Sequence, residues 1–126
     1  MDEIKRLLEA YSEAFSGDPR RTAAFYEVPA NVIMPRGFRV LTTMDDVVQF
    51  IEEVLVRIRP LGYAATTCES ISIRLLNSRV ALASVVGVRR RADGSEMQRA
   101  GFTYLLTNNR GWKIRQLIAT DLDKLL

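Results

Sequence analysis

"RVALASVVGVRRRADGSEMQRAGFTYLLTNNRGWKIRQLIAT", residues 79–120, runs through three long, largely apolar stretches separated by two turn signals. Asp93-Gly94 is a two-residue hairpin signal of type I′. Asn109-Arg110-Gly111 fits a three-residue loop with glycine in the left-handed position. The spacing predicts antiparallel strands over 79–91, 96–107 and 112–120. A two-residue loop pairs Ala92 with Ser95. Counting back, Gly87 meets Ala100, Val85 meets Phe102 and Ala83 meets Tyr104. A loop closed by Gly111 pairs Asn108 with Trp112, Leu106 with Ile114, Tyr104 with Gln116 and Phe102 with Ile118. One sheet face is therefore expected to carry Ala83, Val85, Gly87, Ala100, Phe102, Tyr104, Trp112, Ile114, Gln116 and Ile118. Large rings lie opposite very small residues there, which leaves room for a helix or a ligand.

The other face reads Val80, Leu82, Ser84, Val86, Val88, Gly101, Thr103, Leu105 and Leu117. A sheet with one wet face alternates more cleanly than this, so both faces are expected to be covered. Helices can cover one. A second copy of the chain is the simplest cover for the other, giving a homodimer through the outer sheet face.

Upstream, Ile4, Leu7, Leu8, Tyr11, Ala14 and Phe15 recur at helical spacing over 2–16, and Gly17 is a stop signal. Asp18-Pro19 restarts a short helix to about Tyr26, with Asp as N-cap and Pro at the first helical position, and Pro29 closes it. Asn31–Met34 and Phe38–Leu41 read as two short strands, the first ended by Pro35, with Gly37 in the turn. Thr43-Met44-Asp45-Asp46 resembles a capping box with Asp in place of Glu. The helix it opens presents Val47, Phe50, Ile51, Val54, Leu55 and Ile58 on one face and stops at Pro60 and Gly62. A further strand covers about 63–76. The order is ααββαββββ, a single α+β domain over residues 1–126.

Bulk composition narrows the classes. Hydrophobic residues make up 48% and charged residues 26%, as in ordinary globular domains. No stretch has the roughly 18–20 apolar residues of a membrane span. The N-terminus lacks the basic and apolar regions of a signal peptide, and Cys68 is the sole cysteine, so a reducing cytoplasm is the expected compartment. Eighteen basic and 15 acidic residues leave a net charge of +3, too weak and scattered for a nucleic-acid face. The one cluster, Arg89-Arg90-Arg91, reads as a solvated strand end. Histidine is absent, which removes Ser-His and Cys-His pairs and most zinc sites. Neither metal nor cofactor is expected.

"YSEAFSGDPRRTAAFY", "VIMPRG" and "GWKIRQLIA", in this element order, resemble the nuclear transport factor 2-like superfamily over about residues 4–120. That resemblance implies a strongly curved mixed or antiparallel sheet wrapped around a long helix, a cone with a pocket at its open end. The superfamily includes ketosteroid isomerases, scytalone dehydratase, limonene epoxide hydrolase, polyketide cyclases and non-catalytic binders. Tyr11 matches the first-helix tyrosine of the ketosteroid isomerases. Their base, a carboxylate directly before a proline on the first strand, falls here on Met34. Their protonated oxyanion-hole aspartate falls on Ala100. Methionine cannot accept a proton and alanine cannot donate a hydrogen bond, so isomerase chemistry of that type is not expected.

The pocket candidates are thus Tyr11, Met34, Arg39, Ala100, Phe102, Tyr104, Trp112, Gln116 and Ile118. Tyr11 is either a ligand donor or a core tyrosine whose hydroxyl finds a partner in the chain. Tyr104 and Gln116 make a polar pair, toward the cavity or merely across strands. Arg36 and Arg39 suit an anionic group but also suit an arginine-rich surface. Glu27, Glu69 and Asp121 are the carboxylates nearest the expected rim. Three functions compete. The first is a binder of a small hydrophobic molecule without family-type catalysis. The second is an isomerase, cyclase or hydrolase-like enzyme using Tyr11 with a rim carboxylate or arginine. The third is an assembly domain using the outer sheet face.

Overall fold

The computed structural model describes residues 1–126. Helix α1 (Asp2–Ala14) buries Ile4, Leu8 and Tyr11. Helix α2 (Pro19–Ala23) starts as its sequence requires, with Asp18 as N-cap accepting from the Arg20 N–H at 2.9 Å and Pro19 in the first turn. Helix α3 (Met44–Ile58) opens with a reciprocal capping box. Thr43 Oγ1 accepts from the Asp46 N–H at 3.1 Å, and the Asp46 carboxylate accepts from the Thr43 and Thr42 N–H groups. Those bonds hold the Asp46 carboxyl below its usual range. The buried residues of α3 are Val47, Phe50, Ile51, Val54, Leu55 and Ile58, the face its periodicity predicts. A 3₁₀ turn at Arg59–Leu61 ends on Gly62, whose φ of 99° suits glycine.

Six strands form one mixed sheet: β1 (Tyr26–Met34), β2 (Gly37–Leu41), β3 (Ala65–Asn77), β4 (Val80–Arg90), β5 (Glu96–Asn108) and β6 (Trp112–Thr120). Their order is β2-β1-β6-β5-β4-β3, with β1 and β6 parallel and every other pair antiparallel. Helix α1 packs on β3 and β6, and α3 on β1 and β2. Their apolar faces meet the inner face of the sheet in one core that includes Ile4, Leu8, Ile51, Leu55, Leu106 and Ile114.

Three departures from the predicted register bear on the site. Strand β1 begins at Tyr26, so the segment expected to finish the second helix is extended instead. Helix α2 accordingly stops at Ala23, three residues before its expected end at about Tyr26. The first hairpin turns over Ala92-Asp93-Gly94, with the Arg91 N–H on the Ser95 carbonyl, and only Gly94 takes positive φ. A compensating bulge in β5 then restores the pairing, so Gly87 does meet Ala100, Val85 does meet Phe102 and Ala83 does meet Tyr104.

The third departure is not compensated. Asn108 pairs with Trp112 and Leu106 with Ile114, but a bulge then leaves Arg115 outside the β5–β6 ladder. Beyond it, Leu105 pairs with Gln116, Tyr104 with Leu117 and Thr103 with Ile118. Side chains alternate along a strand, so one extra residue turns the rest of β6 over. Gln116 and Ile118 therefore lie on the outer face and Leu117 on the inner one, opposite to expectation. Arg115 shows why the bulge persists. Its Nε donates to the Pro29 carbonyl at 3.0 Å, and its guanidinium lies 3.8 Å from Glu27. The β1–β6 ladder is irregular over the same stretch, between Tyr26 and Asn31.

On the outer face, Ser84, Thr103 and Thr120 form a line of hydroxyls, 2.9 Å and 2.8 Å apart. The Leu126 N–H donates to Ser84 Oγ, and Leu125 lies over Gly101. The chain thus covers part of its own outer face. No helix is long and apolar enough to cross a membrane.

Candidate functional site

The inner face encloses a cavity of about 50 Å³. Tyr11, Ser12 and Phe15 of α1 form one wall, with Phe50 of α3 and Met34 at the end of β1. The sheet supplies Thr66, then Val85, Gly87 and Arg89 in one column of β4, Phe102 and Tyr104 of β5, and Leu117 of β6. Eight of these twelve residues are hydrophobic, and none is a carboxylate. Gly87 is what leaves the space open: a Cβ there would sit 3.5 Å from the Phe102 ring, in ordinary contact.

Tyr11 lies at the centre of an aromatic cluster. Its ring makes edge contacts with Phe15, Phe25, Tyr26 and Tyr104, at centroid distances of 5.7–5.9 Å, the geometry that ring quadrupoles favour. Its hydroxyl lies 2.7 Å from that of Tyr26. Burial pushes both phenols, and that of Tyr104, above the usual tyrosine range. The core reading of Tyr11 is thus satisfied by Tyr26, yet the ring still lines the cavity. Tyr104 is 5% exposed and its hydroxyl has no partner in the chain.

Of the nine residues expected at the pocket, the structure brings Tyr11, Met34, Phe102 and Tyr104 together. Arg39 stands one layer out. It ion-pairs with Glu53 at 2.8 Å and stacks 5.8 Å from the Phe50 ring centroid. That is surface pairing, with the stack holding a cavity residue from outside. Ala100 and Trp112 do not line the cavity; Trp112 packs against the edge of the core. Gln116 and Ile118 are turned away by the Arg115 bulge. The polar pair of Tyr104 with Gln116 does not form, and Leu117 faces Tyr104 in its place.

The carboxylates weighed as bases are engaged elsewhere. Glu27 accepts from Asn109, Glu69 pairs with Arg99 at 2.6 Å, and Asp121 lies 3.7 Å from Lys124. Cys68 sits against Ser12 Oγ at 2.9 Å, and burial raises its thiol above the usual range, so it is a poor nucleophile.

The charged lining residue that the sequence reading missed is Arg89. Read as part of a solvated strand end, it instead lines the cavity. The signal was present: once Val85 and Gly87 face inward, Arg89 follows at the same parity. The charge run Arg89-Arg90-Arg91 masked it. Arg89 donates to Gln98 at 2.7 Å and pairs with no carboxylate. Burial lowers its pKa.

The fold and cavity define an NTF2-like α+β cone. The match to a family model settles which one: residues 2–122 match NTF2-like protein (DUF6841), and the chain belongs to that family. Solved structures agree on the fold. An NTF2-like protein with a cystatin-like fold from Novosphingobium aromaticivorans is 16% identical, with a TM-score of 0.76 over 98% of this chain and 82% of that one. An NTF-2 like protein of unknown function from Shewanella oneidensis is 21% identical, with a TM-score of 0.75 over 95% of this chain and 98% of that one. The yeast UBP3-associated protein BRE5 is 18% identical, with a TM-score of 0.71 over 94% and 93% of the two chains. No curated protein matches the sequence.

Proposed function

We propose that this protein binds a small, largely hydrophobic molecule in the inner cavity and does no family-type chemistry on it. The observation that carries this is the lining: mostly aliphatic and aromatic, with no carboxylate to act as a base. A single pocket of that character beside a few polar groups is the usual form of a small-molecule site. Its volume of about 50 Å³ is well below the roughly 150 Å³ of an apolar cavity that takes up benzene, so a one-ring ligand enters by moving wall side chains and a polycyclic one does not fit. The competing enzymatic reading pairs Tyr11 with a rim carboxylate or arginine; no carboxylate lines the cavity, and although Arg89 does, the hydroxyl of Tyr11 is engaged by Tyr26. Native mass spectrometry of protein purified from its source tests the proposal by retained ligand. Amide shifts at Gly87 and Phe102 on titration with ethylbenzene test it directly. Shifts that never saturate, or turnover of the bound molecule, would end it.

For the outer face, we propose a second copy of the chain as the cover. Register places Val40, Asn31, Gln116, Leu105 and Leu82 in one row, with Phe38, Ile33 and Ile118 in the next. Phe38 is 61% exposed and Val40 52%, neighbouring apolar side chains at one end of these rows, of the kind that marks association. A monomer by light scattering rejects the pairing. A reducing cytoplasm suits the lone thiol.

A further inference from the structure

We propose that the cavity's ligand carries an oxyanion, a carboxylate on a small apolar body, held by the Arg89 guanidinium and the Tyr104 hydroxyl. This rests on the cavity being a small-molecule site and adds the chemical class of its occupant.

Counting donors and acceptors leads there. Arg89 has five N–H donors and no acceptor. One goes to Gln98, and no carboxylate takes the others. A half-buried guanidinium without a counter-charge is costly, because burial disfavours its charged form. Its surroundings make this worse. Arg57 raises the local positive potential at Arg89, and Arg59 adds to it at Tyr63. Neither forms an ion pair with a carboxylate, although Arg39, Arg99 and Arg115 all do.

The hydroxyls add donors. Tyr104 is nine-tenths buried or more, lines the cavity and bonds to nothing in the chain. Tyr11 and Tyr26 share one hydrogen bond between two hydroxyls. Two protons serve one bond, so one O–H donor is left over. The cavity therefore offers a cation and the spare Tyr104 O–H, joined by that of Tyr11 when Tyr26 is the donor of their bond, against walls of Phe15, Phe50, Val85, Phe102 and Leu117. What complements that set is an acceptor-only, negatively charged group on an apolar body. Guanidinium and carboxylate match in a planar, two-bond geometry.

The test titrates ¹⁵N-labelled protein with benzoate, benzamide and ethylbenzene, following the amides of Gly87 and Phe102 and the Arg89 side-chain Nε–H. Benzoate and benzamide share shape and size and differ in charge. A charge-assisted pair in a partly desolvated site predicts benzoate binding about ten-fold or more tighter than benzamide. In Arg89→Met that preference falls to about three-fold or less, and in Arg89→Lys, which keeps the charge, part of it survives. Thermal melts confirm that each variant is folded. If Arg89→Met does not fold, Tyr104→Phe replaces it, with an expected loss of about three-fold or more for benzoate and none for ethylbenzene. If ethylbenzene and benzamide saturate the cavity as well as benzoate does, the anionic class is wrong and the hydrophobic site stands. A preference unchanged in Arg89→Met also overturns it. If no compound saturates these amides, both readings fall.

Discussion

Two glycines on neighbouring strands give the sharpest test of the packing. Gly101 lies on the outer face of β5, opposite Thr120. A Cβ there would sit 2.5 Å from the Thr120 carbonyl oxygen and 3.1 Å from Leu125 Cδ2. Real side chains do not tolerate the first distance, and the atom that must yield is backbone, fixed by the β5–β6 ladder. Gly101→Ala should therefore cost about 2–3 kcal/mol, the upper range for overpacking. For a chain of this length that lowers the melting temperature by about 8–12 °C. Gly87 is the control. Its Cβ would lie 3.5 Å from the Phe102 ring, an ordinary contact, and its φ is not left-handed. Gly87→Ala should be neutral or raise stability by up to about 1 kcal/mol, because alanine has less backbone freedom to lose. The assay is thermal and urea denaturation of both variants beside the parent, with unchanged m-values as the check on two-state behaviour. Adding Leu125→Ala to Gly101→Ala should recover little, since the carbonyl clash remains. A Gly101→Ala protein as stable as the parent, or one rescued fully by Leu125→Ala, would show that the β5–β6 pairing at Thr120 is not as described.

Other consequences follow from the same contacts. Tyr26→Phe leaves the buried Tyr11 hydroxyl without its partner and should cost about 1–2 kcal/mol in urea unfolding. Tyr11, Tyr26 and Tyr104 all have pKa values raised by burial. Unfolded tyrosines deprotonate near pH 10 while the folded ones stay protonated, so above that pH the unfolded state holds fewer protons and stability falls. With three such groups the slope approaches about 4 kcal/mol per pH unit. Circular dichroism should then show unfolding coincident with tyrosinate absorbance, and phenolate appearing while the fold persists would contradict it. Thr43→Ala removes half of the capping box and should cost about 1 kcal/mol. Cys68 should react with a disulfide reagent at pH 8 far more slowly than free cysteine, because burial raises its thiol pKa, and unfolding should abolish the difference.

How much of this was legible in the sequence depends on the range of the forces involved. The capping box, the buried face of α3 and the Asp18-Pro19 start are local, set within four residues, and all stand as read. The Asn109–Gly111 loop is local too, and it anchors Asn108 opposite Trp112. What failed was propagation. Register counted outward from a turn holds only until the first bulge, and nothing in "WKIRQLIA" signals that Arg115 leaves the ladder. Its reason lies 86 residues away in sequence, at the Pro29 carbonyl. Gln116 and Ile118 were lost from the site for that cause. Phe102 and Tyr104 survived because they lie on the correctly counted side of it, and Met34 because the break at Pro35 and the family resemblance placed it without any counting along β6. Arg89 is a different failure. The parity that points it inward was available, but a run of three arginines reads as surface until tertiary packing shows which one is turned.

The bulge at Arg115 has a wider meaning for how this domain can change. Both Ile114 and Leu117 point into the core although three positions separate them, which a regular strand cannot do. Deleting Arg115 would only make β6 regular, with Leu117 still beneath Tyr104; drawing Arg115 into the ladder instead would put Gln116 in the place of that leucine. A hydrocarbon floor would become an amide one without any side chain being replaced. The chemistry of this hollow is thus adjustable by the register of one strand, as well as by the identity of its residues.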